Sequence, residues 1–186
     1  NEVLDWQRAN KAVYVRGDHE EALLHGAAIA GSFTGTESIR RQGDVLSEPN
    51  RAALVHLPET LDMDADGLRI RVTHFLTPES RDAAYKYTVD LALLEKRYQG
   101  CNYVFFGHTH LPAIFYGRDT VFINPGSAGF PVDVERRSSM VLFDSARRRY
   151  EFLRFDYDRE ALVASIETEG YNPKLVSYVR NGHRWS

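Results

Sequence analysis

The sequence predicts an α/β domain in which helices and strands alternate through the first hundred residues and then give way to a run of strands. Three observations carry this reading. Val3, Trp6 and Ala9 recur with helical spacing and are followed at once by the β-type run Ala12–Val15. Two further apolar runs, IRVT and CNYVFF, follow a tight-turn dipeptide and a helical stretch respectively. Last, LPAIFY, TVFIN, SMVLF and YEFLRF come in close succession, separated by turn residues. A chain of 186 residues, 43% hydrophobic and 26% charged, can bury about 70% of its unfolded surface in one core. Residues 1–186 are therefore read as one domain.

Each element has a local reason. Val3 to Ala9 reads as a helix, and a helix-to-strand step so early places the start of the chain in the middle of an α/β pattern. Glu21 to Ile29 is rich in alanine and leucine and reads as helical, whereas GSFTGTESIRRQGD, with its glycines and hydroxyls, reads as a loop with short helical pieces. Ser47 can cap a helix through Asn50 to Val55, with Pro49 tolerated in its first turn and Pro58 beyond its end. LDMDADGLRIRVTHF reads as a hairpin turning at Asp66-Gly67, with its second strand ending at His74. Asp82 to Gln99 is predicted as a helix with an apolar stripe of Val89, Ala92, Leu93 and Leu94, stopped by Gly100. CNYVFF then ends at Gly107. The last four strands are joined by Gly117-Arg118, by a longer loop, and by the Ser145 to Arg149 turn, which overlaps RRRY at Arg147 to Tyr150, read as a solvated hairpin turn. A helix over Arg159 to Thr168 and a tail containing Pro173 complete the chain.

Composition narrows the function. A formal charge of −3 and a pI near 6.2 provide no overall basic field and argue against a dedicated nucleic-acid binder. No apolar run approaches the about 18 residues that a membrane-spanning helix needs, and NEVLDWQRAN has neither the basic nor the apolar region of a secretory signal. The single cysteine, Cys101, cannot form an internal disulfide, and its place at the head of an apolar run reads as a buried structural thiol. A reducing cytoplasm is the expected location.

The chemistry gathers at strand ends. VYVRG runs into Asp18-His19-Glu20, IRVT into His74, and YVFFG into His108-Thr109-His110. In sheets covered by helices, polar residues just beyond the strand ends line clefts, because rigid strands position them and the loops leave them accessible. His108 and His110 are spaced so that an extended segment would put both rings on one side, and Gly107 frees the backbone to turn. Imidazole and carboxylate suit Mn, Fe, Zn, Ni and Co. His25, His56 and His183 are read as ordinary surface or core histidines.

Gly17-Asp18-His19-Glu20, Thr73-His74-Phe75, Gly107-His108-Thr109-His110 and the later Asn124-Pro125-Gly126-Ser127 resemble, in order, the later motifs of the calcineurin-like metallophosphoesterases, in particular the small bacterial and archaeal phosphodiesterase branch. That resemblance covers nearly the whole chain. It implies a β-sandwich of two mixed sheets flanked by helices, and a phosphodiester or phosphomonoester hydrolysed by a hydroxide that bridges two divalent ions of Mn, Fe, Zn, Ni or Co. Asp18, His74 and His108 would bind one ion and His110 the other. His19 would protonate the leaving oxygen, oriented by Glu20. The partner would be a small phosphate ester, nucleotide-like esters included.

The chain departs from the family pattern in three places. The amino-terminal D-x-H and GD motifs are absent, and Asn1 to Asn10 fall where the family has the helix before its third motif, so a preceding segment with the bridging carboxylate is expected to be missing. Asp18 stands at an asparagine position, and a carboxylate about 4 Å from a phosphate charge costs ~4 kcal/mol at an effective dielectric near 20 unless metal ions offset it. Phe75 stands where the family usually has glycine, either packed under the loop or available for stacking on a base. A catalytically weak or inactive scaffold, or a regulatory binding module with the same fold, is the competing reading. NPGS is read as a turn supporting the GHTH loop.

Overall fold

Alternation along one strand decides the layering. In Tyr103–Phe106 the side chains of Tyr103 and Phe105 face one apolar cluster and those of Val104 and Phe106 the other, because successive side chains of a strand point to opposite faces. The strand is therefore buried on both sides, as a central strand of a parallel arrangement must be.

A computed structural model describes residues 1–26, 33–81 and 89–181. Its elements are α1 (Glu2–Ala9), α2 (Asp18–His25), α3 (Phe33–Val45), α4 (Glu48–Val55), β1 (Thr60–Ala65), β2 (Leu68–Thr73), a 3-10 turn (Glu79–Arg81), α5 (Leu91–Arg97), β3 (Tyr103–Phe106), β4 (Pro112–Tyr116), β5 (Val121–Pro125), β6 (Ser138–Asp144), β7 (Arg149–Phe155), α6 (Arg159–Thr168) and α7 (Pro173–Asn181). Five strands form a mixed sheet in the order β1-β2-β3-β5-β4, with β2, β3 and β5 parallel to their neighbours in that row and β1 and β4 antiparallel at the edges. The antiparallel pair β6-β7 forms the second described sheet. Val141, Phe143, Tyr150 and Phe152 of that pair pack on Leu68, Ile70, Tyr103 and Ile123 of the first sheet. On the opposite face Leu94 and Tyr98 cover Val104, Phe106 and Phe122 together with Cys101. The result is a sandwich of two sheets with flanking helices, as the motif order implied. No described helix is long and apolar enough to cross a membrane.

The tight turn forms as its dipeptide requires: Asp66 and Gly67 have φ of 50° and 73°, the positive pair that matches the twist of a two-residue hairpin. Cys101 is buried, and burial raises its pKa.

Several expectations are corrected. Ala12–Val15 has no regular secondary structure and belongs to no ladder among the described residues; beyond it, Arg16 N–H donates to Pro58 O at 2.8 Å. β-type residues alone do not make a strand without a partner. Glycine-bearing residues 33–45, read mostly as loop, form the α3 helix. Two interior glycines cost about 1 kcal/mol each, and tertiary contacts offset this: Ile39 is buried, and Arg41 donates to the carbonyls of Glu169 and Gly170 at 2.8 and 2.7 Å, capping α6. The helix expected from Asp82 begins, in the described residues, at Leu91, where Asp90 caps Leu93 N–H at 3.1 Å; of the predicted stripe only Leu94 is buried, and residues 82–88 lie outside the described residues. α2 begins at Asp18 rather than Glu21 and ends where Gly26 turns left-handed at φ 65°. The predicted continuation over residues 27–29 lies outside the described residues. The Pro173 tail is a helix, started by Asn172, whose side chain accepts from Lys174 N–H at 3.0 Å, and by proline in the first turn.

Candidate metal centre

The register of the sheet delivers two histidines side by side. Thr73 pairs with Phe106 in the parallel β2–β3 ladder, and the next rung continues as Gly107 N–H donates to His74 O at 3.2 Å. His74 and His108 therefore emerge from adjacent strand ends, with ring centroids 5.3 Å apart. Asp18 arrives from the other direction as the first residue of α2. Gly17 precedes it in extended conformation, and its N–H donates to the Glu20 carboxylate at 2.9 Å, so the helix start is capped by its own third residue.

Asp18 Oδ1 accepts from His74 Nε2 at 2.9 Å, and Asp18 Oδ2 lies 3.5 Å from His108 Nδ1. One ligand atom from each of the three residues falls within 4.8 Å of the others. Two bonds of roughly 2.1 Å to a common ion span at most about 4.2 Å, so the widest pair need close only slightly. Burial pushes the Asp18 carboxyl up, but the polar contacts from His108 and His74 and their charge outweigh it and hold it well below the usual carboxylate range. The group is an anion at neutral pH.

His108 supplies the observation that tests whether these residues fit a metal. Its ring is buried, and among the described residues neither Nδ1 nor Nε2 has a hydrogen-bond partner, although Nδ1 keeps its 3.5 Å ion-pair contact with Asp18 Oδ2. An unpartnered buried imidazole is costly, and a divalent ion beside the Asp18 carboxylate would satisfy it. Ligation of that ion by His74 Nε2 would require the ring hydrogen to sit on Nδ1, so that Nε2 offers its lone pair. The donor set fits.

Close packing fixes these rings. A Cβ at Gly17 would stand 2.8 Å from His74 Cε1 and Nδ1, and one at Gly107 would stand 3.3 Å from His74 Nδ1; the His74 ring occupies the space two glycines leave. Phe75 lies against both imidazoles, 4.8 Å from His74 and 4.7 Å from His108 by ring centroids, so of its two expected roles the structure favours packing. His74 and His108 also wall a cavity of about 190 Å³ whose other sides are mostly apolar, Leu76, Phe106, Leu111 and Phe115 among them, with Ser80 and Thr109 as polar exceptions. Such walls keep the local dielectric low and strengthen charge interactions beside them.

The GHTH loop is bent rather than extended. His108 and His110 have φ of 67° and 59°, conformations that non-glycine residues adopt only when held there. Asn124 does much of the holding: fully buried, it donates to Gly107 O at 2.8 Å and Thr109 Oγ1 at 2.9 Å, while its own Oδ1 accepts from Gly126 N–H. Gly126, at φ 86°, has no room for a side chain, since a Cβ would meet Pro112 Cγ at 2.8 Å.

The remaining expected site residues are not among the three converging ligands. His110 Nδ1 meets Phe130 O at 2.9 Å. His19 is exposed, and among the described residues no hydrogen bond joins it to Glu20, whose carboxylate caps α2 instead of orienting His19. His25 and His56 are exposed, and His183 lies outside the described residues. Phe130 was not singled out by sequence, and Gly17 was named only as the first residue of its motif; a glycine immediately precedes two of the three histidine motifs, at Gly17 and Gly107.

Comparison with known proteins agrees with the geometry. Residues 1–148 match the profile described as the calcineurin-like phosphoesterase superfamily domain. An uncharacterized protein of Methanocaldococcus jannaschii is 25% identical over 185 residues, covering 85% of this chain and 70% of its own length. The crystal structure of a metallophosphoesterase from Sphaerobacter thermophilus superposes with a TM-score of 0.78 at 20% identity, covering 98% of this chain and 82% of that one. A hypothetical protein from Pyrococcus horikoshii gives 0.76 at 15% identity, with 96% and 76% covered. The protein whose two histidine-bearing strand ends meet Asp18 belongs to the calcineurin-like phosphoesterase superfamily.

Proposed function

We propose that the chain serves a metal-dependent phosphoesterase that hydrolyses a small phosphodiester, or less readily a phosphomonoester, in the cytoplasm. The observation that supports this most is the convergence of Asp18, His74 and His108, with both ring nitrogens of His108 buried and, among the described residues, without a hydrogen-bond partner. These three would hold one divalent ion of Mn, Fe, Zn, Ni or Co, and His110 would be a ligand of a second. Bound there, divalent ions polarise phosphoryl oxygens and lower the pKa of water near pH 7.

The chain's own groups would do the rest. Asp18 stays ionised and supplies the negative charge that would retain a cation beside the two imidazoles. Packing of Gly17, Gly107 and Phe75 around His74 restrains its ring, which favours preorganised electrostatics. His19, exposed at the first turn of α2 beside Asp18, would carry the proton to the leaving oxygen, since imidazole titrates in the range general-acid work needs. Nucleotide-like esters are within the proposed substrate class.

Metal analysis of the purified protein, together with hydrolysis of bis-p-nitrophenyl phosphate before and after chelation, tests this reading. Metal content with chelator-sensitive turnover is expected. Metal without turnover would point to a binding module. Absence of both would make the fold a scaffold.

A further inference from the structure

We propose that Tyr178, on the last helix, is a positioning residue that sets the orientation of the His110 imidazole through the Phe130–Pro131 peptide. The inference rests on the reading of His110 as a ligand of the second ion. It begins with a fact about donors. His110 Nδ1 lies 2.9 Å from Phe130 O, and a carbonyl only accepts, so Nδ1 carries the hydrogen and Nε2 keeps the lone pair a metal would take. The position of one backbone carbonyl therefore selects the tautomer and aims the ring.

Phe130 lies between the end of β5 at Pro125 and the start of β6 at Ser138, where no ladder holds the backbone. What holds it is local: Phe130 N–H donates to Ser127 Oγ at 2.9 Å, and Tyr178 grips both sides of the next peptide. The Tyr178 ring stacks on the Phe130 ring with centroids 4.1 Å apart and planes 8° from parallel, and the Tyr178 hydroxyl donates to Pro131 O at 3.2 Å. The Phe130 ring in turn meets His110 edge-on at 5.9 Å. α7 is itself anchored, through buried Val179 and through Arg136, whose guanidinium donates to Arg180 O. A contact chain thus runs from the last helix to the His110 imidazole.

A stack that merely docks α7 onto the body would show the same contacts, so the test must read His110 itself. The full chain is labelled with ¹⁵N-histidine and examined near pH 8, about 1.5 units above the ordinary imidazole pKa, where long-range ¹H–¹⁵N spectra show which ring nitrogen carries hydrogen. The unsubstituted chain and Tyr178→Phe, which keeps the ring, are expected to hold His110 in the Nδ1–H form. Tyr178→Ala, and Tyr178→Leu, which keeps an apolar side chain to retain the helix, are expected to move it toward the Nε2–H form. Mn²⁺ binding, read by paramagnetic broadening of the His110 ring, is expected to weaken about 10- to 100-fold in both. Faster hydrogen exchange in α7 with an unchanged His110 tautomer, in either folded variant, would overturn the proposal. A tautomer shift without any Mn²⁺ effect on His110 in the unsubstituted chain would uphold Tyr178 and refute only the second-ion reading.

Discussion

Gly17→Ala is the substitution from which the geometry of the metal centre can be judged most directly. Gly17 has φ −112° and ψ −173°, a conformation open to alanine, so the consequence is steric rather than a matter of backbone strain. The added methyl would stand 2.8 Å from His74 Cε1 and Nδ1 and 2.9 Å from Cγ, whereas carbon atoms rest at about 3.5–4.0 Å. The ring, or the backbone that leads into Asp18, must yield by about 0.7 Å. Metal–ligand distances tolerate only about ±0.2 Å. Either movement separates His74 from Asp18 and is expected to weaken Mn²⁺ binding by tenfold or more, read by isothermal titration. Overpacking also costs about 1–3 kcal/mol of stability. Gly43→Ala is the matched control: it lies inside α3 with nothing within 4 Å of the added atom, and it should stabilise by about 0.4–1 kcal/mol without changing metal affinity. A Gly17→Ala protein with unaltered Mn²⁺ affinity and melting temperature would show that the His74 ring is not a ligand held against this glycine.

Other substitutions probe separate links. Asn124→Ala removes two donors and an acceptor from a fully buried position and should cost about 2–4 kcal/mol in a denaturant titration; a loss under 1 kcal/mol would mean that the GHTH loop keeps its left-handed residues unaided. Tyr98 is buried with its hydroxyl donating to Leu76 O at 2.7 Å, and burial raises its pKa above 10.0. The folded state therefore holds this proton more tightly, its stabilisation is complete below about pH 10 and is lost as pH climbs toward the raised folded value, because there the native state binds more protons than the unfolded one. Tyr98→Phe should flatten that alkaline fall in melting temperature; an unchanged slope would assign the fall to other groups. If His19 donates the proton to the leaving group, His19→Ala should slow alkyl phosphodiesters far more than nitrophenyl ones, and equal losses would make it a binding residue.

How far the sequence could be read depended on whether a feature was local. Continuous apolar runs in Tyr103–Phe106 and Val121–Ile123 announced buried strands because both faces of each strand are covered, and Asp66-Gly67 announced its turn because few residues accept two consecutive positive φ values. The convergence of Asp18, His74 and His108 followed from motif order, not from periodicity. Residues 33–45 misled because Gly35 and Gly43 lower helix propensity, while the compensation comes from Arg41 reaching carbonyls well over a hundred positions away in sequence. Ala12–Val15 misled in the opposite sense, since propensity cannot report whether a partner strand is present. Asn172-Pro173 was a legible helix start that the proline obscured. Glu20 illustrates a finer ambiguity: an acid two places after Asp18 suits a catalytic pair and a helix cap equally well, and only the Gly17 N–H contact distinguishes them.

The parallel pairing of Thr73 with Phe106 also bears on how such a site can change over generations. The rungs act as a ruler: whatever the length of the crossover between the two strands, the ladder resets the offset between His74 and His108 each time the chain folds. Insertions and deletions in that crossover are thus free to remodel the surroundings of the cleft without moving the imidazoles relative to one another. A single residue added between Tyr103 and His108 is a different event, because it reverses which face each later side chain meets and would carry His108 away from Asp18. Length variation among natural relatives should accordingly concentrate between the rungs and spare the residues that form them.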